Sequence, residues 1–234
     1  MMKKEEKIMV TEHILEMRHG AVGSFLDVRG FVADYVRNSG FLPHWSIDAN
    51  IVNFRDESNR VEKEGAFAGY KSFGYFTYNP PTKNFFQDRA ISFVKLIDKN
   101  SDYNIPNIAR FGCRSKIFIP YEKDFDLLNG LLNENFISDS LRDIVSHKET
   151  DLQIVLEYTD KIFNSRLTIG PMHKDEVKNQ LNFESESFSK AGLFLDIDYF
   201  KTDNIELANI FPLIKESMIL IWEKVDSITK KLKI

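Results

Sequence analysis

The chain has 234 residues, with 31 Lys and Arg against 35 Asp and Glu, giving a formal net charge of -4. A molecule of this balance has no overall field that draws in phosphate backbones or anionic membranes, although a local basic patch is compatible with it. Hydrophobic residues make up 43% and charged residues 28%, which excludes a disordered chain and leaves room for one large domain or two small ones, each with a sizeable core.

Rings are abundant, with 20 Phe, 8 Tyr and 2 Trp, and they need large surfaces to cover them. Cys113 is the one cysteine, so no internal disulfide can form. Its apolar surroundings read as those of a buried structural thiol rather than a nucleophile. The stretch Met1 to Lys7 is too charged for a secretory leader, and no apolar run approaches the roughly 18 residues of a membrane span. The expectation is a cytoplasmic protein that does not cross a membrane.

The predicted elements begin with a strand over Ile8 to Arg18, broken near Gly20 to Gly23. Phe25, Val28, Phe31, Val32, Tyr35 and Val36 then fall at helical spacing within Phe25 to Arg37, with a stop at Asn38 to Gly40. Two strands follow, Trp45 to Arg55 and Val61 to Tyr78, joined by the polar turn Asp56 to Asn59. The second is unusually aromatic, is interrupted by Gly65, Gly69 and Gly74, and is closed by Pro80 and Pro81. A helix over Asn84 to Lys99 and a polar connector over Asn100 to Asn107 complete the first half.

The same rhythm returns after the connector. A strand is predicted at Ile108 to Ile119, a helix near Asp124 to Leu132, and two strands near Asp151 to Tyr158 and Ile162 to Ile169. A serine-rich polar stretch, Pro171 to Phe188, includes a short helix at Asp175 to Leu181 and leads to a strand at Gly192 to Phe200. From Pro212, the residues Leu213, Ile214, Ser217, Met218, Ile221, Val225 and Ile228 form an apolar stripe on a long final helix. The pattern predicts a single α+β domain over residues 1–234, a mainly antiparallel sheet covered on one face by helices. Two related β-α-β-β units, 8–100 and 106–230, make up its halves.

Gly192-Leu-Phe-Leu-Asp-Ile-Asp-Tyr-Phe200 with its following helix, and Ile108-Ala-Arg-Phe-Gly-Cys-Arg114, resemble the C-terminus and central strand of a sporadically distributed, uncharacterised prokaryotic family of about 250 residues. No activity comes with that resemblance. Its sporadic occurrence implies horizontally mobile genes of the kind found in antiviral defence and toxin-antitoxin loci.

Candidate chemistry centres on Asp196 and Asp198, two apart on one strand, whose carboxylates project from the same face. Such a pair can bind Mg²⁺ or Mn²⁺, share a proton, or simply form the wet face of the sheet. Asp48 or Glu62 on a neighbouring strand would be the further ligand of a metal-dependent hydrolase or nuclease. His13, Glu16 and His19 do not converge, because in a strand Glu16 faces away from both histidines. No phosphate-binding glycine loop and no GxSxG elbow occurs, and no cofactor is expected.

The aromatic strand offers three readings: core packing, a protein contact surface, or a stacking platform for bases. The leading expectation is a non-enzymatic binding or regulatory protein acting in a protein complex or by self-association. Tyr70, Phe73 and Tyr75, or the terminal helix, would make the contact, and nucleic acid is not the expected partner.

Overall fold

The computed structural model describes residues 9–56, 63–144, 152–181 and 190–234. Ile8, the turn Glu57 to Asn59, Val61, Glu62, Asp151 and most of the serine-rich stretch before Lys190 lie outside them. In the first half the elements are β1 (Val10–His19), α1 (Phe25–Asn38), β2 (His44–Ile47), β3 (Ile51–Arg55), β4 (Glu64–Gly69), β5 (Ser72–Tyr78) and α2 (Phe85–Asp98). The second half contributes β6 (Ile108–Tyr121), α3 (Phe125–Phe136), α4 (Asp139–Ile144), β7 (Ile154–Asp160), β8 (Phe163–His173), α5 (Lys174–Gln180), β9 (Ala191–Lys201) and α6 (Ile210–Leu232).

The fold is α+β. All nine strands form one sheet in the order β2-β3-β4-β5-β1-β6-β9-β8-β7, and every neighbouring pair is antiparallel. Reading outward from the central β1–β6 pair, each half runs through its last strand first, β5-β4-β3-β2 on one side and β9-β8-β7 on the other. The first half is therefore strand, helix, four strands, helix, two strands more than the expected β-α-β-β unit and its following helix, and the second half adds a helix, α4, to its predicted elements. The extra strands arise at turns that the sequence pattern runs through. Trp45 to Arg55 folds back at Asp48 to Asn50 into β2 and β3, and the long aromatic stretch folds back at Tyr70 and Lys71 into β4 and β5.

Alternation along the strands sends odd-numbered residues of β1, β6 and β9 to the helical face. Leu15, Met17, Phe111, Cys113, Ile117, Leu193, Leu195, Ile197 and Tyr199 are all buried there with Val32, Val36, Phe86, Phe93, Leu128, Ile214 and Ile221 from α1, α2, α3 and α6. The helix α6 repeats apolar residues at three- and four-residue steps, and that stripe lies on β6 and β9.

Two polar clusters inside this layer are hydrogen-bonded. His13, fully buried, has its Nδ1 2.6 Å from the Ser115 Oγ directly across the central strand pair, with its ring between Phe86 and Trp222. Nearer the edge, Glu64 accepts two hydrogen bonds from Arg89, at 2.8 and 2.6 Å, and one from the Tyr75 hydroxyl at 2.5 Å. Arg89 also donates to the Phe41 carbonyl and lies over the Phe41 ring, so one guanidinium ties β4, β5 and α2 to the loop before β2.

Phe73 and Tyr75 have no exposed surface, and Tyr70 is half-buried against the same core. Phe73 and Tyr75, on β5, face the helices as core residues where the expected contact surface would need them exposed, while Tyr70 lies at the β4–β5 turn; burial pushes the Tyr75 hydroxyl above its ordinary pKa.

Burial holds the His13 pKa near 4, below its ordinary 6.5. A histidine depressed by folding contributes stability above its unfolded pKa, and that contribution is lost as pH falls. Urea denaturation should therefore show the wild type losing stability between pH 6.5 and about 4, by an amount on the order of 3 kcal/mol from this residue alone. His13→Gln should be less stable at pH 7 and show a flatter profile across that window. An equally steep profile in the variant would remove His13 as the cause.

Candidate functional site

Among the described residues, the opposite face of the sheet carries only α5, at one end, where Val177 and Leu181 pack on Val10, Phe118 and Phe194. Over the remaining centre the even-numbered residues of β1, β6, β9 and β8 form cross-strand rows. One row reads Glu12, Lys116, Asp196, Thr168, and the next reads Ile14, Arg114, Asp198, Arg166, Glu157. Opposite charges at facing and diagonal positions are the arrangement that stabilises neighbouring strands rather than repelling them.

Both sequence-predicted aspartates lie here, side by side on this face, and both are engaged by arginine. Arg114 holds Asp196 in a two-pronged pair, Nε to Oδ1 at 2.7 Å and Nη2 to Oδ2 at 2.5 Å. Arg110 donates to Asp198 at 3.0 Å, approaches Glu16 at 3.7 Å and lies on the Phe200 ring. Arg18 joins the chain through Glu16 at 2.8 Å, and Lys116 pairs with Glu12 at 2.9 Å. Lys116 also donates to the Gln180 carbonyl of α5, so the capping helix is pinned to the lattice.

Glycine makes one of these reaches possible. Arg110 must lie along its own strand to meet Asp198, and a Cβ on Gly112 would stand 2.7 Å from its Nη1. The absent side chain is the track on which the guanidinium rests. The spacing of the arginine, glycine and second arginine in Arg110-Phe-Gly-Cys-Arg114 thus has a mechanical meaning: two guanidiniums on one face with a gap between them.

Two shallow depressions flank the Arg114–Asp198 ridge. One, of about 230 Å³, is lined by Arg114, Arg166, Thr168, Asp196 and Asp198. The other, of about 330 Å³, lies between Glu16, Arg18, Arg110 and the ridge, with the Phe67 ring as its wall. Burial pushes the Asp198 carboxyl above its ordinary range, against the downward pull of Arg110 and Arg114. Arg166 makes no ion pair among the described residues, although Asp198 and Glu157 stand opposite it on either side. Sequence reasoning singled out the aspartates and missed the arginines, which alternation along β6 and β8 places on the same face.

The remaining candidates do not gather at one place. His13 and His19 are buried on the helical face while Glu16 is on the open one. His19 bonds the Gly20 carbonyl at 2.7 Å and the Tyr103 hydroxyl at 2.8 Å, and burial lowers its pKa. Asp48 sits at the β2–β3 turn, where it accepts from Asn53, and Glu62 lies outside the described residues. Among the described residues no group of three or more His, Cys, Asp and Glu is arranged to hold a metal ion. No helix among them is long and apolar enough to cross a membrane.

No protein-family model and no curated protein matches the chain, so function is read from this geometry.

Cys113 lies fully buried under α6, its Sγ 3.7 Å from the Met218 Sδ, and burial pushes the thiol up to about 12. A thiol in that state is nearly all protonated at neutral pH. In native buffer it should react with a disulfide reagent at least 100-fold more slowly than in urea, a ratio set by opening of the core. Reaction at the unfolded rate would mean that Cys113 is accessible in the native protein.

Proposed function

We propose that this chain is a non-enzymatic binding protein that acts in a protein complex, with the open face of the sheet as its contact surface. The observation that carries the reading is the lattice itself. Four arginines and three carboxylates, Glu16, Asp196 and Asp198, line two adjoining hollows on an uncovered sheet, with Phe67 and Phe200 beside them. Arginine and aromatic residues are the types enriched where proteins meet.

Metal-dependent hydrolysis at Asp196 and Asp198 is less well supported by the same geometry. Both oxygens of Asp196 accept from Arg114, and a divalent ion would have to displace that guanidinium and then sit among cations. Cys113, His13 and Ser115 are sealed in the core, away from this face.

The test is to express the tagged chain in its native host at natural level and identify by mass spectrometry what co-elutes on size exclusion. A stoichiometric protein is expected with the wild type. Because Arg166 makes no ion pair among the described residues, Arg166→Glu should preserve the fold yet weaken that association by at least 10-fold, about 1.4 kcal/mol. Retention of the partner by Arg166→Glu and by Arg114→Glu alike would move the contact surface elsewhere. Elution of the bare chain, with Mn²⁺ or Mg²⁺ retained in a form that Asp196→Asn abolishes, would replace the binding reading with the hydrolytic one.

A further inference from the structure

The two ends of the sheet are finished differently. β2 has four residues and follows directly on Pro43, and both short length and proline blunt an edge. β7, at the other end, has neither device. Its sequence Ile154-Val-Leu-Glu-Tyr-Thr-Asp160 carries no proline and no lysine, pairs with β8 in one unbroken register, and has a strand on one side only among the described residues. Val155, Leu156, Glu157 and Thr159 are exposed, the first two at 44% and 48%. The one charge inside the strand, Glu157, stands opposite Arg166, which makes no ion pair among the described residues.

The hairpin turn fixes which backbone groups are free. Lys161 and Ile162 join β7 to β8 and close on the pair Asp160 and Phe163, with Lys161 at φ 53°. A turn this short requires its closing pair to exchange hydrogen bonds, so the even-numbered residues of β7 bond to β8. Val155, Glu157 and Thr159 therefore turn their N–H and C=O groups outward, where an added strand would meet them. On the helical face, Ile154 and Tyr158 pack at the margin of the core, and Leu156 between them stays half exposed.

This pattern is symmetric about Leu156. Turned end for end at that residue, β7 sets Leu156 against its own copy, Ile154 against Tyr158, Val155 against Glu157 and Gln153 against Thr159. Apolar residues then meet apolar ones on the helical face, no carboxylate faces another, and the outward groups of Val155 and Glu157 meet as hydrogen-bonded pairs. Centring on Glu157 would set two carboxylates face to face, and centring on Val155 would pair Tyr158 and Thr159 with residues outside the strand. We propose that β7 joins β7 of a second copy of this chain, antiparallel and centred on Leu156, so that one sheet runs through both molecules. Such a two-fold contact consumes its own edge and closes, and the blunted β2 ends stop further growth. It uses the rim of the sheet and stands whatever the open face binds.

Sedimentation of the purified chain alone should show a mass that moves toward twice 27.2 kDa as concentration rises, since a contact of one strand per chain lies at the small end of specific interfaces. Val155→Pro removes an outward N–H without touching a bond to β8, and Leu156→Lys places two ammonium groups at the two-fold axis. Each should weaken the dimer at least about 10-fold, with circular dichroism and the urea midpoint reporting that the monomer is folded. Leu156→Cys reads the register. Residues facing at a non-hydrogen-bonded position have Cα atoms about 4.5 Å apart, within disulfide reach, so mild oxidation should lock that variant as a covalent dimer at least about 10-fold faster than Val155→Cys. Cys113 is buried and does not compete. A monomer at every concentration up to roughly 100 μM overturns the proposal. So does a dimer that Val155→Pro and Leu156→Lys both leave unchanged, or one that Val155→Cys locks as fast as Leu156→Cys. A chain that is monomeric alone yet holds a different protein, lost in Leu156→Lys, would give the edge to that protein in place of a second copy.

Discussion

The pairing of β1 with β6 is the constraint on which the rest of the molecule depends. Among the described residues these strands are the only direct strand contact between the two halves, and they are antiparallel over nearly their whole length. Their register decides which residues meet on both faces at once. On the helical face it brings His13 to Ser115, a buried polar pair that is satisfied in this alignment. A slip by one residue would turn every side chain of β1 to the other face, sending Glu12 and Glu16 into the core and Leu15 and Met17 to water. The polar pair inside and the charge rows outside therefore specify the same alignment.

Placement of the functional face follows from that seam. Since α1, α2, α3 and α6 all gather on one side, the short α5 is all that the described residues place on the other side of the nine-stranded sheet. The open centre then has to be soluble without being repulsive, and alternating charge along and across β1, β6, β9 and β8 meets both needs. The same solution leaves the arginines held in fixed directions by their carboxylates. Side chains held in that way lose less freedom when a partner docks than free ones would, which is how the order of this face would serve the proposed recognition.

What could be read from the sequence was periodicity, and what could not was pairing. The helices, the antiparallel character of the sheet and the buried Cys113 are all local patterns, and the structure has each of them. The two extra hairpins escaped because Tyr70-Lys71 turns a strand without the Asn-Gly signature, inside an aromatic run that reads as continuous. Phe73 and Tyr75 were assigned to a surface because rings on both sides of one long strand imply that some are exposed. Once the run folds into β4 and β5, the rings divide between two faces, and these two turn inward. Asp196 and Asp198 were placed correctly on one face, but their partners lie more than eighty residues away, and cross-strand neighbours at that separation have no trace in local spacing.

That separation also bears on what the aspartates can do. Two carboxylates two residues apart on a strand are equally compatible with a metal site and with an ion-pair lattice, and the deciding residues are on another strand. In this sheet the strand beside β9 is β6, whose open-face residues are Arg110, Gly112, Arg114 and Lys116. Three cations and a glycine leave the aspartates no third oxygen ligand on that side, and the other neighbour, β8, offers Arg166 and Thr168. With guanidiniums on both flanks, the negative charge at Asp196 and Asp198 serves to orient arginines, and it is the arginines that a docking partner would meet.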